Sequence, residues 1–252
     1  MTPATGTTPK GITSEEAASR WVRGMFGRVA ARYDLLNHLL SFNLDRQWRA
    51  RLVDRVAEVL ARPDSKVLDL CCGTGDVLLS LAARRGSATI FGSDFCHPML
   101  IEARRKIAAR ERKDRRAGAP LFEADALALP LATSSLDLVT VAFGFRNLTN
   151  YRRGLEELDR VLKPGGVLAI LEFSQPTNRI FAPFYGFFST RVLPWVGGLI
   201  SGSRDAYSYL PESIQKFPGA ERLAAQMFDS GFAHVEFERL TFGAVALHLG
   251  KK

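Results

Sequence analysis

One stretch limits the fold more than any other. The apolar run Lys66-Val-Leu-Asp-Leu-Cys71 passes straight into Cys72-Gly73-Thr74-Gly75-Asp76, and helical sequence follows. Glycines at a strand-to-helix turn permit backbone angles closed to other residues and let a ligand lie against the main chain. Three more apolar runs follow: Thr89–Asp94, Leu136–Ala142 and Gly166–Glu172. Amphipathic helical stretches separate them. Continuous apolar strands alternating with helices predict an α/β fold with a mostly parallel sheet covered on both faces.

Four zones are expected. Residues 1–62 form a tail and a helical lid, with Trp21, Met25, Val29 and Ala30 at helical spacing and a second helix over Trp48–Leu60. Residues 63–175 form the Rossmann-like core. Residues 176–219 form an aromatic insert rich in Pro and Gly. Residues 220–252 supply a helix, Ala220–Ser230, and two strands near Ala233–Arg239 and Ala244–Leu249 that complete the sheet. The three cysteines, Cys71, Cys72 and Cys96, include no CxxC pair, so neither a disulfide framework nor structural zinc is expected, and a reducing cytoplasm fits. The N-terminus has no apolar segment of the signal-peptide kind.

The spacing of the turn narrows the ligand. A dinucleotide fold would place a third glycine where Leu78 stands. Asp94 ends the second strand and is the natural acceptor for a ribose diol. Asp125-Ala126 follows the short run Leu121–Ala124, where adenine contacts would fall. Each acid alone could be a turn or cap residue. Three acids at successive strand ends (Asp69 among them), behind a glycine turn, point to a nucleoside-type ligand without a pyrophosphate.

Longer blocks carry a resemblance. Arg160-Val-Leu-Lys-Pro-Gly-Gly-Val-Leu-Ala-Ile-Leu-Glu-Phe-Ser174 is similar to the second signature of the ubiquinone/menaquinone C-methyltransferase family, of the UbiE/MenG type. Tyr33-Asp-Leu-Leu-Asn-His-Leu-Leu-Ser-Phe-Asn-Leu-Asp-Arg-Gln-Trp48 resembles the first, departing at Leu36 and at Asp45, where the family often has His. Phe143–Leu148 and Tyr207–Pro218 also resemble family blocks. The resemblance implies the class I S-adenosylmethionine (SAM)-dependent methyltransferase fold, with SAM as methyl donor and no metal. It implies donor contacts at Thr74, Asp94, Asp125 and Ala126, to which the reading of the turn and strand ends adds Asp69, Gly73 and Gly75. The implied reaction is C-methylation of demethylmenaquinol, or alternatively of a polyprenyl methoxy-benzoquinol; Cys71-Cys72 and Ser174-Gln-Pro176 lean toward the former.

Such chemistry needs a phenolate. A quinol hydroxyl has an ordinary pKa of about 10, so a fixed cation must favour its ionised form near neutral pH. Arg146, just past the fourth strand, is the candidate cation. Asn147 is placed to hold a water or ring oxygen, and Tyr33 to close the network over the donor. Tyr207, Tyr209 and Phe217 are expected to line the substrate pocket. Among the histidines, His38 is the candidate base, while His97 reads as a turn residue and His248 as part of a strand. Glu212 and Lys216, one helical turn apart, are expected to pair.

The expected partner is a polyprenylated quinol. Ile180–Ile200 is apolar but broken by Arg191 and two prolines, so it reads as core packing, a groove for a polyprenyl tail or a membrane-touching surface rather than a span. Net charge is +8, much of it within Arg104–Arg116, which leaves open a solvated helix face, anionic headgroups and nucleic acid. No Asn-Pro-Pro-Tyr block follows the fourth strand, which argues against a nucleic-acid methyltransferase. A non-catalytic SAM-binding protein, a homodimer and peripheral contact at the inner membrane face remain open alternatives.

Overall fold

A computed structural model describes residues 5–114, 118–187, 191 and 204–252, with only the backbone described at 184 and 204–208. The lid region holds α1 (Glu15–Val29), α2 (Tyr33–Leu40), α3 (Leu44–Arg55) and α4 (Ala57–Ala61). Then come β1 (Lys66–Leu70), α5 (Asp76–Arg84), β2 (Thr89–Asp94), α6 (His97–Glu111), β3 (Leu121–Glu123), β4 (Leu136–Ala142), α7 (Tyr151–Val161) and β5 (Leu162–Phe173). The chain ends with α8 (Phe181–Phe187), α9 (Arg204–Lys216), α10 (Ala220–Asp229), β6 (His234–Leu240) and β7 (Val245–Lys251).

The strands form one seven-stranded sheet in the order β3-β2-β1-β4-β5-β7-β6. Five strands run parallel, and β7 pairs antiparallel with both β5 and β6. Strand side chains alternate between faces. Leu68, Leu70, Val139, Val141 and Ile170 therefore pack on one face, against Leu155 of α7 and Leu223 and Met227 of α10. Val67, Leu138, Ala169 and Leu171 pack on the other, against Leu52 of α3 and Leu78 and Leu81 of α5. The chain order reverses between β1 and β4. The crevice beyond their carboxyl ends is where open α/β sheets hold ligands.

Two local expectations differ from the structure, and one feature was not anticipated. The helix expected over Trp48–Leu60 is two helices, broken at Val56, whose side chain is buried in the core while its backbone caps α3. β5 begins before Gly166, because Leu162 pairs with Leu136 and a register shift then takes up the Lys-Pro-Gly-Gly segment. The N-terminal tail is pinned: Gly6 N–H donates to Thr149 O at 2.9 Å and Thr7 N–H to Leu148 O at 2.7 Å. The central part of the aromatic insert, at 188–190 and 192–203, lies outside the described residues. Among the described residues, no helix is long and apolar enough to cross a membrane.

Gly144 links the sheet to the site. A Cβ at this position would stand 2.3 Å from Cys71 Cβ, where β1 meets the glycine turn. Neither backbone can yield without moving the crevice. Gly144→Ala is expected to destabilise the fold by about 2 kcal/mol, the usual scale for overpacking. A thermal melt showing no loss would refute this close packing.

Candidate active site

The glycine turn is built from left-handed residues: Cys71, Gly73 and Gly75 all have positive φ, of 53°, 55° and 87°. Asp94 closes the turn from β2. Its carboxylate accepts the Gly73 and Cys96 N–H groups, each at 2.9 Å. Burial pushes this carboxyl up to about 6, against the pull of those backbone bonds. A small cavity of about 30 Å³ lies here, lined by Cys71, Asp94, Asp125, Ala126 and Asn147 among others. Asp125 is exposed, and one of its oxygens accepts Leu127 N–H at 2.9 Å. Ala126 beside it is buried.

Four of the expected donor residues line neither cavity: Gly73 and Gly75, which shape the turn, and Asp69 and Thr74. Asp69 lies beneath the turn, where Oδ1 accepts the Thr140 hydroxyl at 2.7 Å and Oδ2 has no partner. Burial pushes it up to about 7. Thr74 is also turned away: its hydroxyl donates to Asp34 of the lid and accepts from Lys106 Nζ at 3.2 Å. Asp69 therefore supports the turn from within, and Thr74 ties the turn to α2.

A second, larger cavity of about 340 Å³ has mostly apolar walls; Tyr33, Arg146 and Tyr209 are among the residues lining it. Arg146 is 5% exposed. Its Nη1 donates to Glu172 at 2.9 Å and to Phe143 O at 2.6 Å, and its Nε has no partner. Burial is the largest single influence and opposes its charge, but Glu172, Tyr33 and Tyr209 together outweigh it and hold the guanidinium above its ordinary pKa. Arg146 is one half of a buried ion pair with the strand-end acid Glu172, and Phe173 is stacked under its guanidinium at 5.2 Å. Burial raises the Tyr33 hydroxyl, with Arg146 opposing the rise.

Asn147 lines the small cavity, and its Oδ1 accepts the Tyr209 hydroxyl at 3.1 Å, which links the walls of the two cavities. Tyr209 also shares a hydrogen bond with Thr7 at 2.5 Å, and burial pushes its hydroxyl up to about 12. Phe217 is not a pocket residue. It packs edge-on to Tyr151 and Phe145 at 5.3 and 6.3 Å, inside the core beneath α7. The Tyr207 side chain lies outside the described residues. His38 lines neither cavity; its Nδ1 lies 2.7 Å from Asp45, which does line the large one. His97 is exposed beside Glu123, His248 is buried in β7, and Glu212 pairs with Lys216 at 2.7 Å.

A charged seam was not foreseen. Lys106 of α6 bridges Asp34 of the lid, at 2.7 Å, and Asp76 after the turn. Arg49 of α3 bridges Asp76 and Asp45, at 2.5 and 2.9 Å. Burial raises the Asp76 carboxyl, but Arg49 and Lys106 outweigh it and hold it below the ordinary range. Lys106 belongs to the basic stretch, so that stretch is not only a solvated face. Among the described residues no His, Cys, Asp and Glu cluster is arranged to hold a metal ion.

The sequence from 13 to 252 matches the ubiE/COQ5 methyltransferase family. The chain belongs to that family. A demethylmenaquinone methyltransferase of Thermus thermophilus is 49% identical over 90% of this chain and 100% of its own length. A Deinococcus radiodurans protein of the same name is 44% identical, over 92% of each chain. A ubiquinone/menaquinone biosynthesis C-methyltransferase of Syntrophotalea carbinolica is 44% identical over 90% of this chain and 92% of its own. Among solved structures, a SAM-dependent methyltransferase of Thermotoga maritima superposes with a TM-score of 0.62 at 18% identity, over 91% of this chain and 99% of that one. This is the class I SAM-dependent methyltransferase fold. The ubiE/COQ5 family member described here has the crevice of that fold at the β1/β4 switch point, with its own lid helices above it.

Proposed function

We propose that this family member methylates a ring carbon of demethylmenaquinol to give menaquinol, with SAM as methyl donor. The observation that carries this reading is a pair of cavities whose walls are linked by the Tyr209–Asn147 hydrogen bond. One is small and carries the strand-end carboxylate Asp94; the other is large and apolar, with a buried arginine in its wall. The relatives named for demethylmenaquinone support the choice of quinol.

The residues at the small cavity fit the donor. The left-handed turn clears space against the backbone, the Asp94 carboxylate is oriented for a ribose diol, and Asp125-Ala126 flanks the space for a base. When bound, SAM supplies an electrophilic methyl on a cationic sulfur. The remaining work falls to the chain. Trp48, Phe143 and Phe173 hold the quinol ring in a dry wall. Arg146 favours the ionised hydroxyl, which raises electron density at the ring carbon. That carbon would take the methyl as its bond to sulfur breaks, leaving a neutral thioether, and would then release its ring proton to water, restoring the aromatic ring as the phenolate. Asn147 and Tyr209 sit between donor and acceptor and fix the direction of approach. Proton removal from the hydroxyl can pass through a water held at Asn147.

The test is incubation with methyl-labelled SAM and a panel of demethylmenaquinol, a polyprenyl methoxy-benzoquinol and RNA. Label is expected in the menaquinol product, with RNA unlabelled. The benzoquinol arm is included because the Syntrophotalea carbinolica relative carries both quinones in its name. Transfer to RNA alone, or to nothing while donor affinity is intact, would overturn the proposal.

A further inference from the structure

The large cavity opens between three segments. Phe42 at the end of α2, Phe181 at the start of α8 and Thr241 between β6 and β7 all line it. Around them the protein presents large apolar side chains to solvent. Leu35 and Leu39, one turn apart on α2, are 62% and 48% exposed, and Ile180 and Phe242 are 77% and 63% exposed. Such a concentration at one opening is not the scattered apolar exposure common on soluble proteins.

The backbone holds part of this rim at some expense. Thr241 and Phe242 have φ of 48° and 55°, and across the opening Phe42 and Asn43 have 52° and 60°. Bulky residues seldom adopt this left-handed conformation. At both turns it sets a phenylalanine at the edge of the cavity, and the Phe242 ring rests on Phe181 at 5.2 Å. Strain of this kind persists where the surrounding structure enforces it, commonly at functional sites.

The charge around the rim has one sign. Residues 28–46, 176–187 and 239–244 contain only two acids, Asp34 and Asp45. Asp34 is bridged by Lys106, and Asp45 by Arg49. Arg28, Arg46 and Arg179 in the same segments are exposed. An apolar rim set among arginines, with its acids neutralised, complements a surface that is anionic outside and hydrocarbon within.

We propose that this rim docks on an anionic phospholipid bilayer, so that the large cavity opens directly into the lipid. Docking itself depends on no particular substrate. The route it provides, by which a polyprenyl tail enters without crossing water, rests on the quinol reading above.

The test uses the full-length protein and the double variant Leu39→Glu/Phe242→Asn. Neither residue lines a cavity, and asparagine tolerates the left-handed backbone at 242. Co-sedimentation is measured with vesicles of phosphatidylcholine alone and with about one-third phosphatidylglycerol. The parent is expected to bind the anionic vesicles about tenfold more tightly, with added salt weakening binding. The double variant is expected to lose about tenfold in affinity for anionic vesicles, as removal of two inserted apolar groups implies. It should melt no more than about 2 °C below the parent and methylate a tail-less quinol at the parent's rate.

No vesicle binding by the parent, or equal binding by the variant, would overturn the proposal. So would a lipid-free dimer that the double variant converts to monomer, because the rim would then face a second copy. Failure of docking with a tail-less quinol still methylated leaves the proposed function standing. Docking with no quinol methylated removes that function and leaves the surface.

Discussion

Replacing Arg146 and Glu172 together by glutamine is expected to give a folded protein that binds S-adenosylhomocysteine but methylates at least 100-fold more slowly. The pair is nearly sealed from water, with Glu172 1% exposed. Removing Arg146 alone leaves that carboxylate buried beside two backbone N–H groups, those of Arg146 and Phe173, and no cation. An uncompensated buried charge of this kind costs about 3–5 kcal/mol. At about 2–4 °C per kcal/mol for a chain of this size, Arg146→Ala should lower the melting temperature by roughly 10 °C. A rate measured on that variant would mix unfolding with chemistry.

The double glutamine variant separates them. It removes both charges while keeping groups that can hydrogen-bond, and neutral replacement of a buried pair is often tolerated. Any remaining rate loss then reports the cation. Loss of one preorganised donor at a developing oxyanion slows enzymes about 10²–10³-fold. The measurements are a thermal melt, calorimetric titration with S-adenosylhomocysteine and single-turnover methylation of a tail-less quinol. A double variant that melts like the parent and turns over at the parent's rate would mean that Arg146 serves only the fold.

The sheet was readable in the sequence because β1, β2 and β4 are short, mainly apolar runs, broken only by a few polar residues such as Asp69, Ser93, Asp137 and Thr140, and burial on both faces demands such runs. The β5 extension was hidden, because Lys163-Pro-Gly-Gly reads locally as a turn and its pairing to Leu136 depends on a partner 26 residues earlier. The break at Val56 was hidden for a similar reason. Leu52, Val53, Val56, Val59 and Leu60 keep helical spacing across it.

The site divides along the same line. The left-handed turn at Gly73 and Gly75 and the place of Asp94 and Asp125 in the wall of the small cavity follow from topology, since crevices of this fold lie at the ends of successive strands. The seam of Lys106, Asp34 and Asp76 depends on contacts 72 and 30 residues apart, and Lys106 looked like any other member of a basic run. The Glu172 partner of Arg146 was present in a quoted block, yet its direction along β5 could not be inferred from it. Phe217 was misassigned because an aromatic residue near a pocket has no periodic mark that tells wall from core. Thr7 carried no local signal at all; its place against Tyr209 is set by the tail's hydrogen bonds to the segment before α7.

Asp94→Ala is expected to weaken S-adenosylhomocysteine binding by at least 100-fold. A carboxylate receiving two ribose hydroxyls contributes about 1.5–3 kcal/mol per charged hydrogen bond, and 1.4 kcal/mol is about tenfold in affinity. The substitution also strips the Gly73 and Cys96 N–H groups of their acceptor, which loosens the turn itself. A finer test uses pH. The Asp94 carboxyl is raised to about 6 in the folded, ligand-free protein, from an ordinary 3.8, chiefly by burial. Only its ionised form accepts both hydroxyls. Affinity should therefore be level above about pH 7 and fall about tenfold by about pH 5, where most of the carboxyl holds a proton. The stability effect has the opposite sign. Between 3.8 and about 6 the native state binds more protons at this position than the unfolded chain, so acidification across that window favours folding there. Weak binding at the lower pH thus cannot be ascribed to this carboxyl unfolding the protein. Asp69, raised to about 7, titrates nearby but lines neither cavity, so Asp69→Asn should keep the pH dependence while Asp94→Asn should lose it. Calorimetric titrations of the three proteins from pH 5 to 7.5 would decide the matter, and a pH response that survived in Asp94→Asn would take the ribose away from this carboxylate.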